Sequence, residues 1–438
     1  MRKRILIIVA IVIVLLGALF LVAKNSSTPA GDTSGIVQKT LNLFPFGKNE
    51  TTLPADNQDT TIITTDGGIQ TIVDPTEIPR LRKLSTRAVA GATGIIKKRI
   101  VEEVVIPVAL ETETTETIEE TLEPTYEDIN YVRFIEKATG NIYDIANDEA
   151  SAVRITNTTI PRIAEAYFTN KGDGVIVRYL SDDKTTIATW HGSIVSASEG
   201  NLARLAGNFL EDNITTLSVS PDTTSIFYIR DIGDVTYGYT ALANGTNIKQ
   251  IFDSSFSEWI SEWSRPDEIS LTAKATGYLE GYSYALSIDG SSFTKKIGPV
   301  FGLTRLTDTT GNYSLYSFTT ARGMQLRLLD ETTGIQNGVA VNTFPEKCVW
   351  SKLSDSAYCA VPSSIDNRVY PDDWYQGQYF TTDTLWKIDA SSGVGFLIAD
   401  ISTEGGENID AVSLGLTPNE DTLYFTNKRD GILWGIQL

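Results

Sequence analysis

The sequence contains one histidine, two cysteines and two methionines in 438 residues, and each scarcity excludes a class of site. A structural zinc ion needs four nitrogen or sulfur ligands, so we expect no metal site, and His191 is interpreted as a structural residue. No Gly-x-Ser-x-Gly segment is present, which argues against an α/β-hydrolase domain. No glycine-rich phosphate loop or dinucleotide fingerprint occurs, so we expect no cofactor and assign no catalytic residue.

Basic residues are also scarce, because 36 lysines and arginines stand against 55 aspartates and glutamates, for a net charge of −19. Such an acidic chain is not attracted to nucleic acid or to anionic lipid, so nucleic acid is not an expected partner. The many carboxylates leave two alternatives open: a glycan hydrolase with two acids across a pocket, and calcium in acidic turns. No motif in the sequence points to either.

One long apolar run is present, and it lies at the N-terminus. Residues 1–4 are mostly basic, residues 5–23 are apolar, and Lys24 ends the run. At about 1.5 Å per helical residue, this run nearly spans a hydrocarbon core of about 30 Å. We predict an uncleaved signal-anchor helix over residues 1–24, with a cytoplasmic N-terminus and an extracytoplasmic remainder. A long cleaved signal peptide is the alternative, and it predicts the same location for the remainder.

The next segment, residues 25–79, is rich in Thr, Pro and Asp and has no sustained hydrophobic periodicity, which predicts a disordered linker. From residue 80 to residue 438 a pattern of short strands and turns then returns every 40–50 residues or so. Short strands at even spacing predict an all-β fold, a β-propeller. Seven four-stranded blades fit the repeats best, and six is the alternative.

The last repeat ends one strand short at Leu438, and a suitable strand lies at the start of the domain. Residues 81–85 resemble the outer strands of other repeats, such as residues 248–252. An N-terminal strand that completes the C-terminal blade closes the ring and protects a bare sheet edge. This pairing is the reason that seven blades are favoured over six.

The two cysteines flank a predicted hairpin. Cys348 and Cys359 stand on either side of a polar turn centred on Leu353 and Ser354. If the loop has an even number of residues, the two cysteines face each other across the ladder, within reach of a disulfide. Exported proteins can keep such a bond. The alternative is a pair of buried free thiols.

Two insertions interrupt the repeats. Residues 97–128 begin with basic residues and become acidic, which predicts a disordered loop, with a docking tail as the alternative. The second insertion, residues 361–382 in blade 6, concentrates aromatic and acidic side chains. Its predicted binding residues are Tyr370, Asp372, Asp373, Trp374, Tyr375, Tyr379 and Phe380. Exposed aromatic clusters are common at binding surfaces, whereas the alternative is that the rings fold back over their own blade.

Short turn motifs in the repeats resemble those of the TolB-type propellers, which are also described as WD40-like or PD40 repeats. Ser220-Pro221-Asp222 and Thr417-Pro418-Asn419-Glu420-Asp421 match the Ser-Pro-Asp turn that follows the first strand of that family's blades. The resemblance covers residues 80–438 and implies an interaction scaffold located in the cell envelope. The chain differs from TolB itself in its predicted membrane anchor, its two long insertions and the lack of an evident N-terminal α/β domain.

Three functions follow from these observations, in order of preference. The first is a non-enzymatic, membrane-anchored extracytoplasmic propeller that binds a protein partner in the envelope. The second is a propeller that binds carbohydrate or a cell-wall polymer by stacking sugar rings on the aromatic residues of blade 6. The third is a glycan hydrolase with an acid pair in the channel.

Overall fold

The computed structural model describes residues 78–101, 125–181, 186–196 and 201–438. These residues form seven antiparallel sheets of four strands each, the blades of a β-propeller, so the predicted fold with seven blades is confirmed. The predicted signal-anchor helix and residues 25–77 of the predicted linker lie outside the described residues. Within the described ranges, no helix has the length and apolar character needed to cross a membrane.

The first strand, β1 (Leu81–Lys83), is separated from the following blade and belongs to the last one. First strands of several neighbouring blades contact each other, so these strands line the centre of the ring. Blades 1 to 3 consist, from the centre outwards, of β2 (Val89–Val101), β3 (Thr125–Glu136), β4 (Ile142–Ala146) and β5 (Val153–Arg154); β6 (Ile163–Thr169), β7 (Gly174–Leu180), β8 (Ile187–Val195) and β9 (Arg204–Phe209); and β10 (Ile214–Val219), β11 (Ser225–Ile232), β12 (Val235–Leu242) and β13 (Lys249–Ser254).

The remaining blades follow the same plan, and the connections of the described ring contain two short α-helices and two 3-10 turns. Blades 4 to 7 consist of β14 (Trp259–Glu262), β15 (Glu268–Ala273), β16 (Glu280–Ser287) and β17 (Phe293–Phe301); β18 (Thr304–Thr307), β19 (Tyr313–Thr320), β20 (Gly323–Asp330) and β21 (Gln336–Gly338); β22 (Cys348–Trp350), β23 (Ser356–Pro362), β24 (Asp383–Asp389) and β25 (Gly395–Ala399); and β26 (Ala411–Leu416), β27 (Thr422–Asn427) and β28 (Leu433–Gln437) with β1. The helices are α1 (Asp372–Tyr375) and α2 (Ile401–Gly405), and the 3-10 turns are Asn170–Gly172 and Pro345–Lys347.

The second strand of each blade is the most apolar because both of its faces are covered by neighbouring blades. In β11, Ile226 and Tyr228 pack into a cluster that includes Ile176 of blade 2. The alternate residues, Phe227 and Ile229, pack into a cluster with blade 4 on the opposite face. Since side chains alternate along a strand, one continuous apolar run supplies two separate cores between blades.

The ring is closed by the N-terminal strand, as predicted. Leu81 of β1 pairs with Ile436 of β28, and the ladder continues to Lys83 opposite Trp434. Beyond the ladder, the backbone N–H of Leu433 donates a 2.9 Å hydrogen bond to the hydroxyl of Ser85. Leu81 is also part of the core between blades 6 and 7, so the closing strand contributes packing as well as hydrogen bonds.

The predicted disulfide is present in blade 6. Cys348 of β22 and Cys359 of β23 are directly opposite in the ladder, with 4.1 Å between their Cα atoms. Both cysteines are buried within an apolar cluster that includes Leu315 of blade 5. The bond therefore joins the first and second strands of blade 6 in the core between blades.

The ends of the first insertion differ from the prediction. Residues 97–101 and 125–128, expected to be part of a disordered loop, extend β2 and β3 in one continuous ladder from Lys97 to Val101. The basic side chains that suggested a loop make ion pairs instead: Lys97 with Asp144, and Arg99 with Asp148 at 2.6 Å. Residues 102–124 lie outside the described residues.

Candidate binding face

The blade 6 loop, residues 363–382 between β23 and β24, lies on the face of the ring that carries the connections between second and third strands and those between blades. We call this the upper face. The loop is not confined to its own blade. Asp372 accepts hydrogen bonds of 2.7 Å from the hydroxyl of Thr276 and from the N–H of Gly277, both in blade 4. The carbonyl of Tyr370 accepts one of 2.8 Å from Thr319 of blade 5.

Apolar side chains beneath the loop also fix its position. The rings of Trp374 and Phe344 stack with their centroids 4.9 Å apart, and Tyr370 and Met324 complete a buried cluster. Tyr370 is fully buried and Trp374 is 4% exposed. Two of the residues predicted to bind a partner are therefore not available at the surface, which corrects the expectation of an exposed aromatic cluster.

The other predicted site residues are more accessible. Tyr375 is 37% exposed, while Asp372, Asp373, Tyr379 and Phe380 are half-buried. Arg368 lies over the ring of Tyr379 at 4.8 Å, and Arg429 of blade 7 lies over that of Phe380 at 5.1 Å. Cations thus cover two of the rings, and the side chain of Tyr375 is the most exposed aromatic group of the loop.

A buried ionic cluster fixes the C-terminal end of the loop. The ammonium group of Lys347 lies 2.7 Å from Asp383 and 2.5 Å from Asp410, and none of the three side chains is exposed. The indole N–H of Trp374 and the backbone N–H of Thr381 both donate to Asp410, at 3.0 and 3.1 Å. The cluster therefore connects the loop to the first strands of blades 6 and 7.

The two carboxylates of this cluster differ in pKa. Burial acts to raise the pKa of Asp410, but the charge of Lys347 and several hydrogen bonds outweigh it, and the pKa is lowered. For Asp383 burial dominates, and the charge of Asp410 adds to it, so its pKa is raised despite the pairing with Lys347. Nothing in the sequence predicts this cluster, except that Lys347 is a charged residue beside a buried strand.

Lys428 of blade 7 holds the loop from the side. Its ammonium group lies 3.6 Å from the centroid of the Trp374 ring and donates to the carbonyl of Trp374. Burial lowers the pKa of Lys428 to about 8. Its contacts indicate a structural role, because the same ammonium group contacts both the ring and the backbone of one residue.

Two further carboxylates lie near the inner strands beneath the loop. The hydroxyl of Tyr375 donates to Glu346, which also accepts a 2.9 Å hydrogen bond from Thr304. Burial raises the pKa of Glu346, and burial raises that of Glu262 in β14 to about 8. The charge of Glu346 adds to the raised pKa of Glu262, but both oxygens of Glu346 are already engaged by its neighbours, which leaves it no free oxygen for a substrate.

Beside the loop, two apolar side chains project from the upper face. Tyr278 and Leu279, in the turn between β15 and β16, are each 69% exposed. They follow Gly277, whose N–H donates to Asp372, so they adjoin the loop. We call Tyr278, Leu279, Tyr375, Gln376 and Gln378 the candidate binding face. The sequence signal that was missed is an apolar pair in a turn, where polar residues are the rule.

No protein-family model matches the chain, and no curated protein matches its sequence. Solved structures do match. TolB from Acinetobacter baumannii is 12% identical with a TM-score of 0.39, over 69% of this chain and 61% of TolB. Oligogalacturonate lyase from Vibrio parahaemolyticus is 11% identical with a TM-score of 0.46, over 70% of this chain and 86% of the lyase.

The β-propeller domain of the Trilobed protease from Pyrococcus furiosus is 11% identical with a TM-score of 0.46, over 70% of this chain and 91% of that domain. At such identities a likeness shows the fold alone. The matches include enzymes as well as TolB. The fold that the resemblance implied is confirmed by the seven four-stranded sheets of the structure, and TolB is one of the solved structures that the chain matches.

Proposed function

We propose that the protein is a non-enzymatic propeller that binds a protein partner at the candidate binding face. The observation that carries this proposal is that a rigidly held loop adjoins two apolar side chains that are each 69% exposed. Binding energy at protein interfaces is concentrated in a few large side chains held in place before the partner arrives. The hydrogen bonds of Asp372 and the cluster around Lys347 supply that fixed position.

The location belongs to the proposal as well. The basic and apolar residues at the N-terminus support a single-pass anchor with the propeller outside the cytoplasm, and the partner is then a protein of the cell envelope. The acidic chain and its disulfide are compatible with an exported domain. Binding of a glycan by ring stacking on the loop is less favoured, because Tyr370 and Trp374 are buried.

The test is crosslinking in intact cells from a photoreactive residue at position 376, followed by identification of the captured protein. The variant Leu279→Asp places a charge on the face and is expected to reduce capture at least about tenfold, the loss typical of an interface residue that contributes strongly to binding. Trp374 is unsuitable for this test because it is buried, and replacing it would disturb the loop itself.

Leu353→Asp is the matched control. Leu353 is 67% exposed in the turn between β22 and β23, on the opposite face of the ring. If both variants reduce capture equally, or neither does, the candidate binding face is not where the partner binds. Release of product from envelope glycans by the purified protein would contradict the non-enzymatic proposal.

A further inference from the structure

A cleft of about 880 Å³ lies at the seam where the ring is closed, between the outer strands of blades 7 and 1. The outer strands here are short: β1 has three residues and β5 has two. Because they are short, they do not cover the full length of the neighbouring strands in their sheets. The gap between blades 3 and 4 is different, because the packed rings of Phe252, Trp259 and Phe293 fill it.

The floor of this seam cleft contains an aromatic stack. The rings of Phe134 and Tyr143 are nearly parallel, with an angle of 9° and 5.4 Å between their centroids. Phe134 is buried and Tyr143 is half-buried, so Tyr143 is the more accessible ring of the pair. The hydroxyl of Tyr143 has no hydrogen-bond partner in the described parts of the chain.

The charge of the seam cleft is opposite to that of the whole chain. Three cations line it, Lys83, Arg87 and Arg154, together with one carboxylate, that of Glu136. Lys83 is paired with Glu407 at 3.0 Å, and Arg87 lies 3.8 Å from Glu136. The guanidinium group of Arg154 has no ion-pair or hydrogen-bond partner among the described residues. This unpaired guanidinium group therefore attracts anions locally, although the protein as a whole carries a net charge of −19.

The arrangement around the cleft therefore offers a cation and a phenol hydroxyl that have no partner among the described residues, together with an accessible aromatic ring.

We propose that the seam cleft binds a small anionic ligand, a carboxylate or phosphate carried on a hydroxylated six-membered ring. The planar guanidinium of Arg154 binds the anion through two parallel hydrogen bonds, with Arg87 adding charge from the other side. The ring of the ligand lies against Tyr143, and the hydroxyl of Tyr143, which has no partner among the described residues, hydrogen-bonds to a ring hydroxyl. This site is separate from the candidate binding face and does not depend on it.

The test measures binding to the full-length protein by calorimetry, at low ionic strength and in a polyoxyethylene detergent, which carries no competing sugar. The probes are D-glucuronate and glucose 6-phosphate, with D-glucose as the neutral probe and acetate and inorganic phosphate as anions without a ring. We expect both acidic sugars to bind at least tenfold more tightly than glucose. Whichever of the two binds more tightly identifies the anion as carboxylate or phosphate.

Variants then locate the site. Arg154→Ala is expected to weaken binding of the acidic sugars at least tenfold, Arg154→Lys to restore part of the loss, and Tyr143→Phe to weaken binding severalfold. Arg322→Ala, an exposed arginine in the turn between β19 and β20, is the matched control and should bind as the natural protein does. Thermal unfolding of each variant shows whether the fold is retained.

Three results would overturn the proposal. The first is that neither acidic sugar binds. The second is that binding is unchanged in the double variant Arg87→Ala, Arg154→Ala, which would place the ligand elsewhere. The third is that acetate or inorganic phosphate binds as tightly as the acidic sugars, because the aromatic floor would then contribute nothing.

Discussion

Lys347 shows how one buried cation can determine the position of a whole loop. Its ammonium group lies between Asp383 and Asp410, and Asp410 in turn receives hydrogen bonds from Trp374 and Thr381. An ammonium group is strongly disfavoured in an apolar interior unless carboxylates and hydrogen bonds surround it. The interaction is therefore best understood as a means of specifying one geometry, with little net gain in stability over an apolar core.

Removing that cation should be strongly destabilising. Lys347→Met keeps a long unbranched side chain but leaves two carboxylates buried without a counter-charge, so we expect a loss of about 3–5 kcal/mol in the free energy of unfolding. Urea denaturation measures this loss. Lys428→Met is the control, since Lys428 is only half-buried and its contact with Trp374 is worth about 1–2 kcal/mol. Equal losses in the two variants would contradict a special role for Lys347.

Glu262 should make stability depend on pH. Burial raises its pKa to about 8, although Arg305 opposes the shift, whereas an unfolded glutamate titrates near 4.5. The folded state therefore holds a proton that the unfolded state has released. Its contribution to stability is fully present below about pH 4.5 and is lost as the pH rises towards 8.

The variant Glu262→Gln removes this titration. Between pH 4.5 and 8 the natural protein should lose at least about 1 kcal/mol of unfolding free energy relative to the variant, because one pKa unit corresponds to about 1.4 kcal/mol. Glu258→Gln, at an exposed pair with Lys274 near the same strand, is the control and should leave the pH profile as it is. A parallel profile for Glu262→Gln and the natural protein would show that Glu262 is ionised when folded.

At the scale of elements, the blade 6 loop owes its position to partners in other blades. The helix α1 has four residues, too few to be stable by itself in water. Asp372, in its first turn, instead ties the loop to Gly277, 95 residues earlier in the chain. The loop is thus a bridge between blades whose ends are fixed independently, by Asp372 on one side and by Lys347 on the other.

Asp372→Ala should release one end of this bridge. The amide hydrogens of residues 363–376 are expected to exchange faster with solvent, while those of β23 and β24 keep their protection, because local openings can occur without global unfolding. Hydrogen exchange read by mass spectrometry measures the effect. Asp373→Ala is the matched control, since the side chain of Asp373 makes only a 3.9 Å contact with Arg368 among the described residues. Unchanged exchange in Asp372→Ala would mean that packing alone holds the loop.

What could be predicted at this scale depended on sequence distance. The Cys348–Cys359 pairing could be predicted because the two cysteines are eleven positions apart in one hairpin, whose turn determines which side chains face each other. The cluster of Lys347 and Asp410 could not, because the two residues are 63 positions apart and meet only when the ring is formed. The same holds for Tyr278 and Leu279, which become part of a candidate site only through the contact between Gly277 and Asp372.

At the scale of the whole molecule, the number of blades followed from the repeat and from the strand missing at Leu438. The period of two along each strand predicted which residues are buried, as Ile226 and Phe227 on opposite faces of β11 illustrate. Ring closure by β1 was predictable because an incomplete last blade leaves an edge that must be covered. The seam cleft was not, because its volume depends on how short β1 and β5 are.

The closing strand should be required for the stability of the ring. Deleting residues 25–86 removes β1 and the buried Leu81, and we expect a loss of at least about 2 kcal/mol in the free energy of unfolding, the value for burying one leucine. Deleting residues 25–78 leaves β1 in place and is the control. Identical thermal unfolding of the two shortened proteins would contradict closure by β1.

The same closure has a mechanical consequence. Residue 78 is where the described part of the chain begins, and β1 follows within three residues. A pulling force applied through the N-terminal segment is therefore carried first by the three residue pairs between β1 and β28, before it loads any complete blade. If the protein is tethered at its N-terminus, tension acts on this short ladder first and would open the seam cleft before it unfolds a blade.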